Sequence, residues 1–199
     1  MKREVFLETL SQDVLAAAPA LLGWRLTRGE LQARIVEVEA YRSDEPASHS
    51  YGKTKMKNMA MFGPPGNAYI YFNYGVHWML NLVAHKEGNA AAILIRAAEP
   101  IQGLETFRER RPKAKREEDL LSGPGKLAAA FQIDPRDNGR PLLDPSDDPD
   151  KLYLLPPDQP TGQIITAPRV GIAIGKAHDL PWRFIDAKRI RWASKPWPK

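Results

Sequence analysis

Apolar positions recur with helical spacing over residues 7–22, LETLSQDVLAAAPALL, a run interrupted by Pro19 and stopped by Gly23. From residue 31 to 41 the spacing changes to period two and predicts a half-buried strand. Val36, Val38 and Ala40 take one side of it; Glu37, Glu39 and Tyr41 take the other. AYIYFNY (68–74) and HWMLNLVA (77–84) are two further strands, parted by Gly75-Val76 in what reads as a tight hairpin, and AAILIRA (91–97) is a fourth. Four strands with short connections predict a curved, mainly antiparallel sheet. QGLETFRERR (102–111) predicts a helix, and a charged linker leads to another at SGPGKLAAAFQI (122–133). Residues 141–160 are rich in proline and aspartate and read as surface loop; APRVGIAIG (167–175) and WRFID (182–186) read as closing strands. No repeat and no clean break marks a second unit, so residues 1–199 are expected to form a single mixed α+β domain.

Composition narrows the chemistry. With 43% hydrophobic and 27% charged residues the chain has the balance of an ordinary soluble protein, and 18 prolines against 14 glycines predict short elements and many loops. No apolar run approaches the roughly 20 residues needed to span a bilayer, and the acids in MKREVFLETLSQD come too early for a signal peptide. The expectation is a cytoplasmic protein, neither secreted nor membrane-bound. The absence of cysteine excludes disulfides, thiol nucleophiles, thiolate zinc sites and iron–sulfur clusters. Four histidines without H-x-x-x-H or H-E-x-x-H spacing give no support to metal catalysis. The net charge of +5 favours an anionic partner, a cue shared by many proteins that bind none.

Several residues do not fit a purely structural account. Two carboxylates on one strand face repel each other and lose hydration when covered, yet Glu37 and Glu39 are both present. Arg96, closing AAILIR, could hold Glu39 ionised, or equally pair with Glu37. Asn81 interrupts an apolar strand, where an unpartnered amide costs about 1–3 kcal/mol. The long polar stretch 42–67 carries Lys53, Lys55 and Lys57 and, after Glu45, no acid. Tyr69, Tyr71 and Asn73 share a face, and Tyr74 at the hairpin tip suits insertion into a base stack. SGPGK lacks the spacing of a nucleotide P-loop, but its amides and Lys126 could meet a phosphate. FRERRPKAKR (107–116) is either a solvated basic face or a patch flanking DNA.

In order along the chain, LAAAPALLGWRL, RIVEVEAY, SHS, MFGPPGNAYIYFNYGVHWMLNLV, AAILIRAAEP, SGPGKL, PRVGIAIG and PWRF resemble the methylpurine (alkyladenine) DNA glycosylases over nearly the whole length. The resemblance implies a curved antiparallel roll or open barrel flanked by helices, no cofactor and no metal. It implies base-excision repair: hydrolysis of the N-glycosidic bond of alkylated or deaminated purines, 3-methyladenine and hypoxanthine with ethenoadenine a further candidate, in double-stranded DNA, leaving an abasic site. Glu39 falls on the water-activating carboxylate, Arg96 on its partner, and Val170 on the valine whose carbonyl helps hold the water. Tyr41, His49 and Tyr71 fall on the aromatics that enclose the flipped base, Asn81 on the residue that clashes with a guanine amino group, and Tyr74 on the inserted tyrosine. Lys53, Lys55, Lys57 and Lys126 are the expected phosphate contacts; KTKMKN replaces the arginine-bearing R-x-T-P-R-N pattern, losing forked guanidinium contacts. A monomer, in the bacterial cytoplasm at the nucleoid or in a eukaryotic nucleus, is the default. The rival is a non-catalytic damaged-DNA-binding protein on the same scaffold. Glu37 is left with no role beyond a structural hydrogen bond.

Overall fold

The period-two run becomes the 12-residue strand β2 (Leu31–Arg42), and the sheet is built outward from its two edges. This computed structural model describes residues 1–52, 56–73, 75–86 and 89–198, without the side chains of 56–58. One edge of β2 pairs along its length with β5 (Ala91–Gln102). The opposite edge is shared: β1 (Arg25–Arg28) pairs with residues 31–34, and β8 (Arg183–Asp186) with residues 37–39. Beyond β5 lie β4 (His77–Ala84) and β3 (Ala68–Asn73); beyond β1 lies β6 (Leu152–Leu155), and β7 (Ile164–Ala167) pairs with β8. Every pairing among these strands is antiparallel, and the fold is the expected α+β arrangement around one curled sheet.

The apolar face of the central strands packs under helices. Val38, Ala40, Ile70, Leu80, Leu82, Ile93 and Ile95 join Phe6 and Leu10 of α1 (Arg3–Gln12), Ala17 and Ala18 of α2 (Val14–Ala20), and Leu127 of α4 (Pro124–Ala130) in one core. α4 begins with Pro124 at its first position and approaches β4 so closely that a β-carbon on Gly125 would stand 2.6 Å from the His77 ring. Met61, Tyr69, Val83, Ala90 and Ala92 form a smaller cluster beneath the other face. β2 is therefore buried on both sides rather than half-buried.

Three expectations are corrected. Residues 7–22 are not one helix broken at Pro19. The break falls at Asp13, whose extended backbone ends α1 and whose carboxylate caps α2 by accepting the Leu15 N–H at 2.8 Å. Residues 141–160 are not all surface loop, because Leu152 and Leu154 alternate inward and make β6 the outer partner of β1. The strand expected at 167–175 lies earlier, ending at Ala167. From Arg169 the chain turns, with Gly171 and Gly175 at positive φ of 77° and 82°. The stretch 42–67 also contains a 3₁₀ helix at Met56–Phe62. α3 (Leu104–Arg110) begins the basic run FRERRPKAKR, in which Arg108 pairs with Glu105 and Glu117, and Arg116 with Asp119. Among the described residues, no helix is long and apolar enough to cross a membrane.

His85, at φ 66°, accepts the Val14 N–H through Nε2 at 3.3 Å, joining β4 to the start of α2. Burial is the main cause holding its pKa below the ordinary histidine value, outweighing Asp13 and Asp44. The neutral ring is thus favoured in the fold, while the unfolded chain takes up a proton near pH 6.5. Stability from this group is present above that pH and declines as pH falls towards the folded pKa. A His85→Asn protein, whose side chain tolerates the left-handed backbone, is expected to lose less melting temperature than wild type between neutral and mildly acidic buffer. Equal losses in parallel thermal melts would contradict this.

Candidate active site

One row of residues crosses five strands: Arg183 on β8, Glu39 on β2, Leu94 on β5, Asn81 on β4 and Tyr69 on β3, each directly opposite the next. Beside this row the β2–β5 register slips twice. Ile35 pairs with Ala98 and Glu37 with Ala97, leaving Val36 as an extra residue on β2; Val38 then pairs with Ile95, leaving Arg96 as an extra on β5. The two slips cancel, and such bulges re-aim side chains. Arg96 reaches both acids, its Nε 3.1 Å from Glu37 Oε1 and its Nη1 3.2 Å from Glu39 Oε2.

Both acids are fully buried, and their surroundings differ. Glu37 accepts from Arg96 Nε, Arg183 Nε at 2.6 Å, the Ser194 N–H at 2.6 Å and the Ser194 hydroxyl at 2.8 Å. These are guanidiniums and a segment held in place, so Glu37 organises the protein interior. Glu39 accepts from Arg96 Nη1, the Tyr41 hydroxyl at 2.8 Å and the Val170 N–H at 2.7 Å. Its donors Tyr41, Arg96 and Val170 all line a cavity of about 410 Å³. The contact shown by Val170 is thus its amide on Glu39 Oε1.

Burial, with Glu39 adding to it, pushes the Tyr41 phenol well above the usual tyrosine range, so its proton stays available to the carboxylate. Burial alone would lower Arg96, but the charges of Glu39 and Glu37 outweigh it and the guanidinium is held above its ordinary value. Over the Tyr41 ring, 4.5 Å from its centre, lies the guanidinium of Arg169. That guanidinium grips the Glu45 carboxylate at 2.7 and 2.9 Å and the Ala40 carbonyl at 2.9 Å. One face of Tyr41 is therefore taken by the protein itself.

The rest of the cavity wall includes aromatic rings and amides beside aliphatic residues such as Met61 and Leu94. His49 and Tyr71 meet edge to face with centroids 4.4 Å apart, and His49 Nδ1 lies 2.9 Å from the Tyr69 hydroxyl. Asn81 donates its amide N–H groups to the carbonyls of Tyr69 at 3.0 Å and Met79 at 3.4 Å. Rotating the amide would set its oxygen against two carbonyls, so the orientation is fixed. Tyr41, His49, Tyr71, Asn81, Arg96 and Val170 thus converge on one cavity.

The expected DNA contacts fare differently. Lys126 lies in α4 with Nζ 3.1 Å from the Ser122 hydroxyl, beside a second cavity also bordered by Arg96. Tyr74, Lys53 and Lys55 lie outside the described residues, and Lys57 sits in the Met56–Phe62 turn without a described side chain. Sequence reasoning missed Arg169, Glu45, Arg183 and Ser194. Arg183 carried the same signal as Arg96, a lone guanidinium in an apolar strand, but the other three partners gave no local sign.

The sequence also matches known proteins. The family model for methylpurine-DNA glycosylase matches residues 8–189. A relative from Rhodopseudomonas palustris, provisionally named a 3-methyladenine DNA glycosylase, is 46% identical over 189 residues, covering 95% of this chain and 87% of its own length. Relatives with the same provisional name from Nitrosospira multiformis and Carboxydothermus hydrogenoformans are 44% and 42% identical. They cover 87% and 93% of this chain, and 86% and 95% of their own lengths.

Proposed function

The chain belongs to the methylpurine-DNA glycosylase family, and from that premise we propose a base-excision-repair enzyme that removes alkylated purines, 3-methyladenine foremost, from double-stranded DNA. One observation carries the reading. A buried carboxylate, Glu39, is held just behind the wall by Tyr41, Arg96 and Val170, which line a cavity of about 410 Å³ that suits a small-molecule-sized guest.

In this reading the damaged nucleotide leaves the duplex and its base enters between His49, Tyr71 and the open face of Tyr41. A positively charged methylated purine gains about 0.5–2 kcal/mol from the ring faces, and it is already a good leaving group. Water enters past Val170, which both lines the cavity and touches Oε1 of Glu39. Glu39 takes the water proton as oxygen bonds to C1′, the N-glycosidic electrons depart with the base, and an abasic site remains. Arg96, neutralising two acids at once, keeps Glu39 paired while Glu37 keeps Arg96 in place. Hypoxanthine and ethenoadenine, being neutral, lack the charge advantage and need a proton delivered to the departing base. Tyr74 fills the vacated space, and the lysines of 53–57 meet phosphates.

Duplexes carrying 3-methyladenine, hypoxanthine or ethenoadenine, incubated with the protein and then treated with alkali, should break at the lesion, 3-methyladenine fastest. No break with any lesion would sink the proposal, and tight lesion binding without breakage would favour the non-catalytic alternative. Asn81 supplies a finer test. With its amide fixed in the cavity wall, Asn81→Ser is expected to raise 7-methylguanine excision relative to 3-methyladenine by about tenfold, within the usual cost of a mismatched polar contact. An unchanged ratio in competition assays would remove Asn81 from that role.

A further inference from the structure

The turn that follows Arg169 has a construction that the excision chemistry does not require. Arg169 ties the turn to β2, donating to the Ala40 carbonyl and to Glu45 just beyond that strand, and spans the turn by donating to the Ala177 carbonyl at 3.3 Å. The Val170 N–H fixes the first residue to Glu39, and Lys176 N–H closes the apex onto the Ala173 carbonyl at 3.0 Å. Gly175 (φ 82°) and Ala177 (φ 56°) take left-handed backbone, and the Gly175 N–H meets His178 Nδ1 at 3.3 Å. A loop pinned this way holds its apex in a fixed place.

That apex presents Ile174 with 88% of its surface exposed, the most of any large apolar residue among those described. Single exposed aliphatics are common and need no explanation by themselves. Three further facts set this one apart. It sits on a braced turn; its neighbours Gly171, Ile172, Ala173 and Lys176 form part of the cavity wall; and Lys176 is itself exposed at that rim. Asn73, the last residue of β3 before the hairpin turn, lines the same cavity. An apolar knob and a cation, side by side on a rigid rim, match the alternation of sugar or base edge and phosphate along a DNA groove.

We propose that the turn 170–177 is a second DNA-contacting element, bordering the same cavity as the hairpin. Ile174 packs into the groove beside the emptied position and Lys176 pairs with a neighbouring phosphate. The proposal rests on the reading of the cavity as a site for a nucleotide drawn from duplex DNA. Held at a second point, the duplex is less free to slide back while the base is in the cavity.

The test uses the full chain and a short duplex holding a tetrahydrofuran abasic analogue next to 2-aminopurine, so that no turnover intervenes. Ile174→Ser should weaken binding about tenfold, as expected for losing part of an aliphatic side chain's burial, and reduce the 2-aminopurine fluorescence rise, with the salt dependence unchanged. Lys176→Gln should weaken lesion and undamaged duplexes alike and lower the slope of log affinity against log salt by about one. Both positions are exposed, so thermal melts of the variants should overlay wild type. Binding by Ile174→Ser within twofold of wild type, or an unaltered salt slope in Lys176→Gln, would overturn the proposal. Lesion excision by the wild-type chain is scored separately. Its absence would sink the glycosylase reading, whereas normal excision with wild-type binding by both variants would sink this interface alone.

Discussion

Glu39→Gln is expected to lower the single-turnover excision rate of 3-methyladenine by about 10³-fold or more, while affinity for the lesion duplex stays within a few-fold of wild type. The amide keeps the shape and can still accept from Tyr41 or Val170, so the cavity persists. What it loses is the ability to take a proton from water and to face a developing positive sugar with negative charge. Arg96 retains Glu37 as a counter-charge, so the loss of stability should be the smaller consequence. Turnover at the wild-type rate would strip Glu39 of its role. Loss of binding together with turnover would mean that the side chain shapes the cavity rather than acts in it.

Two residues earlier, the same substitution should do the reverse. Glu37→Gln removes the only negative charge that Arg183 contacts among the described residues and turns amide hydrogens towards donors that were already pointing at the site. Breaking a buried ion pair from one side costs about 3–5 kcal/mol, which for a chain of this size corresponds to a fall of about 6–20 °C in melting temperature. Whatever folded enzyme remains at low temperature should still excise, more slowly, because Arg96 has lost one of its two anchors. A melt within a degree or two of wild type would show that the cluster relaxes around the amide.

The sequence made some of this visible. Period-two spacing located β2, short apolar and aromatic runs located the hairpin strands and β5, and a lone arginine in an apolar run pointed to a buried acid near Arg96. The division of labour between the two acids was hidden, because it depends on groups brought in from 146 and 157 residues away, Arg183 and Ser194, that no local pattern connects to Glu37. β6 was obscured for a different reason. Its two inward leucines sit in a proline- and aspartate-rich stretch whose composition dominates any short window. At Asp13 the two available signals competed, and a capping carboxylate ended the helix before the proline could. Arg169 was hidden by a misread period: PRVGIAIG alternates like a strand but turns at its glycines, which is how an arginine comes to lie over the ring of Tyr41.

Ser194 completes the shell of Glu37, and it is made long after β2 leaves the ribosome. Until it and Arg183 arrive, Glu37 has Arg96 but lacks its other three donor contacts, and β2 lacks the β8 segment that pairs beside its acids. The layer of α1 and α2 against the sheet can form early, whereas the catalytic wall closes only once residues 170–194 have been made. A nascent protein of this kind is assembled from its core towards its chemistry, and its carboxylates remain hydrated until the guanidiniums that neutralise them are in reach.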